Sequence, residues 1–519
     1  MIEKKNKGIV VILLIAIMLV SACANQGTAT PEVTTTEQAV STTTEPKVLR
    51  IAETLVDFAL PGQSWGGDIA VNSAIYDWLV KIDDAGNLAP ELAKSWDSPD
   101  GKVWTVHLQE GVTFHDGSAF NADDLIFCVK RTQDEALNHV DKDSFSVVEK
   151  IEKVDDYTVK FYLNTIRPTF MYYFTGWNMI MLSSDYDYAG MGVTKPMGTG
   201  PFKVKEIVIG EGAVVEKNTN YWQAGLPKVD EIRYYFIGDM ETRMNMLEQG
   251  KADIVRDMAA TNIQRIKNNP NLKYEIPYTY FRVISMNKET KPFKDDRVVE
   301  ALKYCIDPEV LAQACQGKLG EDIFFNEDFI AASQKEYVKI APREQNIAKA
   351  KELLAAAGYS DGVDIELYFE SDLDFSPSIA LAIQNMAAPA GFRISLKGNS
   401  RDIYLSQFWA KVDFSVTSWT PKIEPSLLFQ VATYTNGPWN ESHMAEPEAD
   451  AILDKILVET DETKRLELYA EYQQWFRDNG PMLNVQVPFI VAETKQVMNY
   501  SEPLTRIIGI ENIDLKVGE

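Results

Sequence analysis

The chain has 519 residues, more than one hydrophobic core ordinarily serves, so two or three domains are expected. Charged residues make up 24% and aromatics 11%, the balance of a soluble globular protein rather than a disordered or fibrous one. The formal net charge of −25 speaks against nucleic-acid binding and against polybasic docking on anionic lipid.

The N-terminus carries the first signal. Lys4, Lys5 and Lys7 precede an uninterrupted apolar run over residues 9–20, and Val20-Ser21-Ala22-Cys23 follows. A basic end, an apolar middle and small residues at a cut form the layout of a secretory signal peptide. The run is too short for a spanning helix, which needs about 20 residues. The cysteine after the small residues resembles a bacterial lipobox, which implies cleavage before Cys23, lipid on its sulfur and a body held outside the cytoplasmic membrane. Loss of residues 1–22 removes three lysines and Glu3, a net +2, and leaves a mature chain near −27. Residues 24–46 are Thr, Ala, Glu and Gln with a few Val and no aromatics. Such a stretch buries too little apolar surface to offset its ordering entropy. As a flexible tether it would span roughly 25–30 Å.

The body opens with an alternating strand pattern over residues 47–52. A polar, glycine-rich stretch covers 60–68, and a helical stripe runs from Ile69 to near Val80. Residues 102–108 read as a strand. Asn121-Ala122-Asp123-Asp124 reads as a capped helix start, the helix continuing through Arg131. Two alternating runs between Val148 and Leu163 flank Asp155-Asp156 as a hairpin. Gly198-Thr199-Gly200-Pro201-Phe202 is a strong turn before a strand over 203–209. A helix over 240–250, a short strand over 252–255 and alternation over 280–287 follow. Residues 348–358 form a helix closed by Gly358, then come a strand over 364–370, a helix over 377–390 and a long amphipathic helix over 461–476. The mixture indicates an α/β architecture. Cysteines stand at 23, 128, 305 and 315. Cys305 and Cys315 meet only if the chain reverses near Asp307-Pro308. Free cysteines packed as small hydrophobes are the expectation.

Several segments match one family in order. They include Leu88-Ala89-Pro90-Glu91-Leu92-Ala93 with Trp96; Trp104 to Gly117; Asn121 to Asp124; Gly198 to Phe202; Lys291-Pro292-Phe293 with Arg297; Ala350 to Leu354 with Gly358-Tyr359; and Glu446 to Asp450 with Arg465 to Tyr469. The chain resembles the extracytoplasmic solute-binding proteins of ABC importers, the peptide- and nickel-binding class. That resemblance implies a two-lobed, type II periplasmic-binding-protein-like α/β fold with a subdomain inserted in the first lobe. The implied division is 1–22 signal peptide, 23–46 lipidated tether, 47–285 with 485–519 first lobe (insertion about 77–190) and 286–484 second lobe. Crossing strands are placed near 280–287 and 484–487. The family clamps a small solute between its lobes and delivers it to membrane permease subunits. A monomeric receptor for peptides is therefore expected, with no cofactor and no chemistry of its own. Receptors for a nickel chelate or a sugar, and a peptide-sensing receptor, are the alternatives.

The family's peptide binders carry a tryptophan and a following aspartate that pairs with the peptide amine. Here Trp419 and Pro425 match, but Thr420, Pro421 and Lys422 stand where the aspartate is expected. Glu424 is a replacement carboxylate, or Lys422 meets an anionic group instead. Trp65 follows the first strand, at an edge that faces ligand in α/β sheets. Trp439 in a turn, and Tyr280 and Arg282 at a crossing, complete the candidates. Gly62-Gln63-Ser64-Trp65-Gly66 fits a nucleophile elbow, yet Leu60-Pro61 stands where the motif needs a strand. No H-E-x-x-H, paired C-x-x-C or G-x-x-x-x-G-K-[ST] pattern occurs.

Overall fold

The computed structural model describes residues 45–54, 69–83, 86–137, 139–187, 195–316, 325–373 and 375–516. Cys23, Trp65 and the Gly62–Gly66 stretch lie outside them. All elements below belong to the unit Pro46–Glu519.

An eleven-stranded sheet organises the chain. Two strands dominate it, Leu272–Met286 of 15 residues and Met482–Thr494 of 13. They run antiparallel side by side, from Leu272 opposite Thr494 to Ser285 opposite Met482. At one end, Ile254–Val255 pairs with Glu493 and Ala492, and Val48–Glu53, Glu231–Phe236, Gly212–Lys217 and Phe202–Val208 follow outward. At the other end, Phe414–Trp419 pairs with Phe281–Met286, and Val363–Glu370 and Phe392–Asn399 follow. The two long strands thus carry one half of the sheet into the other.

The register between them slips once, between Glu275 and Tyr278. Three steps along one strand oppose two along the other, from Val491 to Phe489, so one residue is extra. Pro277 lies in that interval and has no N–H to give a ladder. The hydrophobic cores divide about this point. One contains Ile284, Val298, Leu302, Leu367, Ile383 and Val485; another contains Leu49, Ile51, Val71, Ile232, Ile254 and Val491.

Residues 93–163 supply a separate four-stranded antiparallel sheet, Ala93–Asp97, Val103–Leu108, Thr158–Leu163 and Val148–Asp155 in spatial order. Phe145, Phe161, Phe170 and Phe174 pack beneath it in edge-to-face and tilted pairs with centroids 5.2–6.3 Å apart. The expected hairpin turns at Asp155–Thr158. The helix Ala122–Thr132 is capped as expected: Asn121 Oδ1 accepts from the Asp123 N–H at 2.8 Å, and Asp124 Oδ2 from the Asn121 N–H at 2.9 Å.

One local reading is corrected. The helix beginning at Ile69 ends at Ile75, and Val80–Ile82 is a strand. Between them the buried Asp77 carboxylate accepts from Thr199 Oγ1, Tyr221 OH and Trp222 Nε1 at 2.8–3.0 Å, bonds that hold the chain out of helical geometry. At the expected turn, Gly198 and Gly200 also answer to crowding. A Cβ at Gly198 would lie 2.2 Å from Ile75 O, and one at Gly200 2.5 Å from Ile75 C. Cys128, Cys305 and Cys315 are free and buried, and burial pushes each thiol up to about 12.

Candidate functional site

The strand Phe414–Trp419 delivers its last residues to the rim of a cavity of about 520 Å³. Val140, Asp141 and Trp177 line that cavity from the N-terminal part of the chain. Ser418, Trp419, Lys422, Trp409 and Trp439 line it from the other half of the chain. The volume is ample for a solute of a few residues.

Local sequence explains the shape of the rim. Pro421 disfavours helix at Thr420, so the chain leaves the strand extended. Pro425 at the first helical position then starts Pro425–Ala432, with Glu424 as its cap. Glu424 Oε1 accepts from Ser426 Oγ at 2.9 Å and from the Ser426 N–H at 3.4 Å, and the Tyr469 hydroxyl donates to the same oxygen. Glu424 is buried and is not part of the cavity lining. The cap occupies the carboxylate that sequence reasoning offered in place of the missing aspartate.

Lys422 turns the other way. Its Nζ stands 4.3 Å above the Trp177 ring, reaching from one half of the chain to the other. The Arg506 guanidinium lies 5.9 Å from the centre of that ring and 5.8 Å from the Tyr280 ring. Arg282 lies 5.8 Å from the Tyr280 ring and donates to Ser418 Oγ at 2.8 Å. Cations and rings therefore alternate from Lys422 to Arg282 along one side of the cleft. Neither Tyr280 nor Arg282 is part of the cavity lining, and burial pulls the Arg282 guanidinium below its ordinary range.

Trp419 is 9% exposed and sits among rings: Phe329 at 5.4 Å, Trp439 at 6.0 Å and Trp409 at 6.5 Å between centroids. Behind them lies Glu441. Its Oε1 accepts from Trp409 Nε1 at 2.5 Å and Trp419 Nε1 at 3.0 Å, and its Oε2 from Thr417 Oγ1 at 2.9 Å. Burial nevertheless pushes its carboxyl up to about 7. Glu370 and Arg401, paired at 2.7 Å, and Asp402 complete the charged lining.

The structure thus brings Trp419, Trp439 and Lys422 to one cavity and leaves Tyr280 and Arg282 out of its lining. Sequence reasoning missed Trp177, Trp409, Glu441 and Arg506. Trp177 follows a glycine in an irregular stretch and Glu441 follows Trp439-Asn440, so an aromatic or acid inside a turn was the signal available. Among the described residues, no group of three or more His, Cys, Asp or Glu is placed to hold a metal ion, and no helix is long and apolar enough to cross a membrane.

Comparison with known proteins agrees with this geometry. The sequence profile of the bacterial extracellular solute-binding proteins, family 5, middle region, matches residues 87–441. The glutathione-binding protein GsiB of Pectobacterium atrosepticum is 28% identical over 473 residues, 86% of this chain and 89% of that one. Two solved structures superpose closely. The binding protein AgaA from A. tumefacien R10, in complex with agropinic acid, gives a TM-score of 0.79 at 24% identity over 91% of this chain and 99% of that one. DppA from Helicobacter pylori, in complex with the peptide STSA, gives 0.78 at 24% over the same shares. These likenesses establish the two-lobed, type II periplasmic-binding-protein-like α/β fold. Taken with the profile match over more than half of its length, they place the chain in family 5 of the bacterial extracellular solute-binding proteins.

Proposed function

We propose that the protein is a lipid-anchored receptor of an ABC importer that binds short peptides in the Trp419 cavity and hands them to membrane permease subunits. The observation that carries the reading is the cavity itself, lined from both halves of the chain. A solute there touches both halves at once, so it stabilises the closed arrangement more than an open one, as ligand-driven closure requires. The GsiB likeness makes glutathione, a peptide with two carboxylates and one amine, the first cargo to try. Trp419, Trp439 and Lys422 are its contacts in this reading. Tyr280 and Arg282 support the wall, and Glu424 serves the fold.

The division into 47–285 with 485–519, carrying an insertion over about 77–190, and 286–484 is part of the proposal. The segregation of hydrophobic cores on either side of the long strands supports it. The register slip at Glu275–Tyr278 is the proposed hinge. Anchorage through Cys23 rests on the N-terminal sequence, as does placement on the outer face of the membrane. The protein acts as a monomer in this scheme.

Calorimetry and small-angle scattering test it together. Glutathione or di- and tripeptides should release or absorb heat and shrink the radius of gyration. A panel of peptides, sugars and nickel chelates that changes neither quantity would overturn the proposal. Loss of peptide uptake on deletion, rather than loss of a response with uptake intact, separates transport from sensing.

A further inference from the structure

Three indoles meet at the cavity, and one carboxylate sits behind them. Trp409, Trp419 and Trp439 all line it, with the Trp419 plane tilted 49° to Trp409 and 53° to Trp439. Tilted planes at 6.0–6.5 Å make a concave corner rather than a flat stack. Aromatic faces carry negative charge density, so a corner of them attracts a cation from several sides.

Glu441 strengthens that character. Two of the three indole N–H groups donate to its Oε1. A donor bonded to a carboxylate pushes electron density back into its ring and deepens the negative face. Among the described residues no basic side chain lies within ion-pairing distance of Glu441, and the neighbouring Glu370, itself paired with Arg401, supplies no counter-charge. The remaining lining has the same bias, with Asp141, Glu370 and Asp402 against Arg401 and Lys422. A cation from outside is the counter-charge this corner lacks, and Lys422 stands over Trp177 to meet an opposite end.

We propose that Trp409, Trp419 and Trp439, polarised from behind by Glu441, form an aromatic cage for a positively charged nitrogen of the ligand. The inference rests on the reading of the cavity as the solute site and names what that site recognises there. It also supplies what the missing aspartate near Trp419 left open. The amine is held by ring faces, with the carboxylate one layer back.

The test uses a pair of probes that differ only in charge: choline, and its carbon isostere 3,3-dimethyl-1-butanol, titrated into the full extracellular chain at pH 8. Tryptophan fluorescence and calorimetry report binding. The wild type should bind choline at least about tenfold tighter than the alcohol. Glu441→Gln, which keeps an acceptor but removes the charge, should reduce that preference to about threefold or less, with near-ultraviolet circular dichroism reporting the fold. If Glu441→Gln does not fold, Trp439→Ala, in a half-buried turn, decides by the same criterion. Equal binding of the two probes by wild type overturns the cage, as does full discrimination in a folded Glu441→Gln. The peptide reading fails separately: glutathione and its N-acetylated form both silent, with choline preferred, sinks the cargo and keeps the cage. Glutathione bound as tightly after N-acetylation as before sinks the cage and keeps the cargo.

Discussion

Glu424 and Glu441 are both buried acids beside Trp419, and their surroundings give them different work. Glu424 caps a helix and accepts from Ser426 and Tyr469. Glu424→Ala leaves the first turn of Pro425–Ala432 uncapped and the Tyr469 hydroxyl without its acceptor. Loss of a cap costs about 1 kcal/mol, and the unsatisfied hydroxyl adds about 1–3 kcal/mol. Urea unfolding should therefore show a loss of roughly 2–4 kcal/mol, with affinity for glutathione changed less than about twofold. A large affinity loss at unchanged stability would return Glu424 to the ligand. This pair also marks how far the sequence could be read. Trp419, Lys422 and Trp439 lie in one loop-rich stretch whose match to the family is local. Trp177 and Arg506 reach the same place from about 240 residues before and about 85 after, through long-range pairing that no window of sequence displays.

At the scale of elements, capped helices and hairpins were legible because their determinants are neighbours in sequence, as at Asn121 and Asp124. The helix at Ile69 was over-extended because Asp77 answers to Thr199, Tyr221 and Trp222, all more than 120 residues away. The long strand Leu272–Met286 was read only from Tyr280 onward, since Pro277 interrupts the alternation before it. That interruption predicts a gradient of motion. Residues 281–285 pair with strands on both sides, whereas residues 278–280 pair on one side only and residues 276 and 277 fall inside the register slip. Backbone hydrogen bonds at such a point open at lower free energy than those in the sheet centre. Amide exchange should be at least about tenfold faster at Thr279 and Tyr280 than at Val283 and Ile284, and should slow when glutathione is added. Uniform protection along the strand would place the hinge elsewhere.

The whole molecule carries a pH signature that no single site accounts for. Burial pushes Glu91 up to about 8, and Asp328, Glu336, Glu441 and Glu493 up to about 7. Each holds its proton in the folded protein at a pH where the unfolded chain has lost it. Between the unfolded value, near 4, and the folded one, folding binds protons, so stability falls as pH rises. His115 works in the opposite sense: buried and held down to about 4, it makes stability rise from pH 4 to about 6.5, where the unfolded imidazole loses its charge. Above pH 6.5 only the raised carboxyls act, and the melting temperature should drop between pH 6.5 and 8.5. The net charge of −25 drives repulsion in the same direction, but salt distinguishes the two. Repulsion between surface charges is screened at 0.5 M NaCl, a concentration with a Debye length of about 4 Å, whereas the cost of ionising a buried carboxyl persists. A drop that survives salt and shrinks in Glu91→Gln or Glu441→Gln belongs to the buried acids; a melting temperature flat from pH 6.5 to 8.5 at both ionic strengths would mean that these carboxyls are ionised in the native state without penalty.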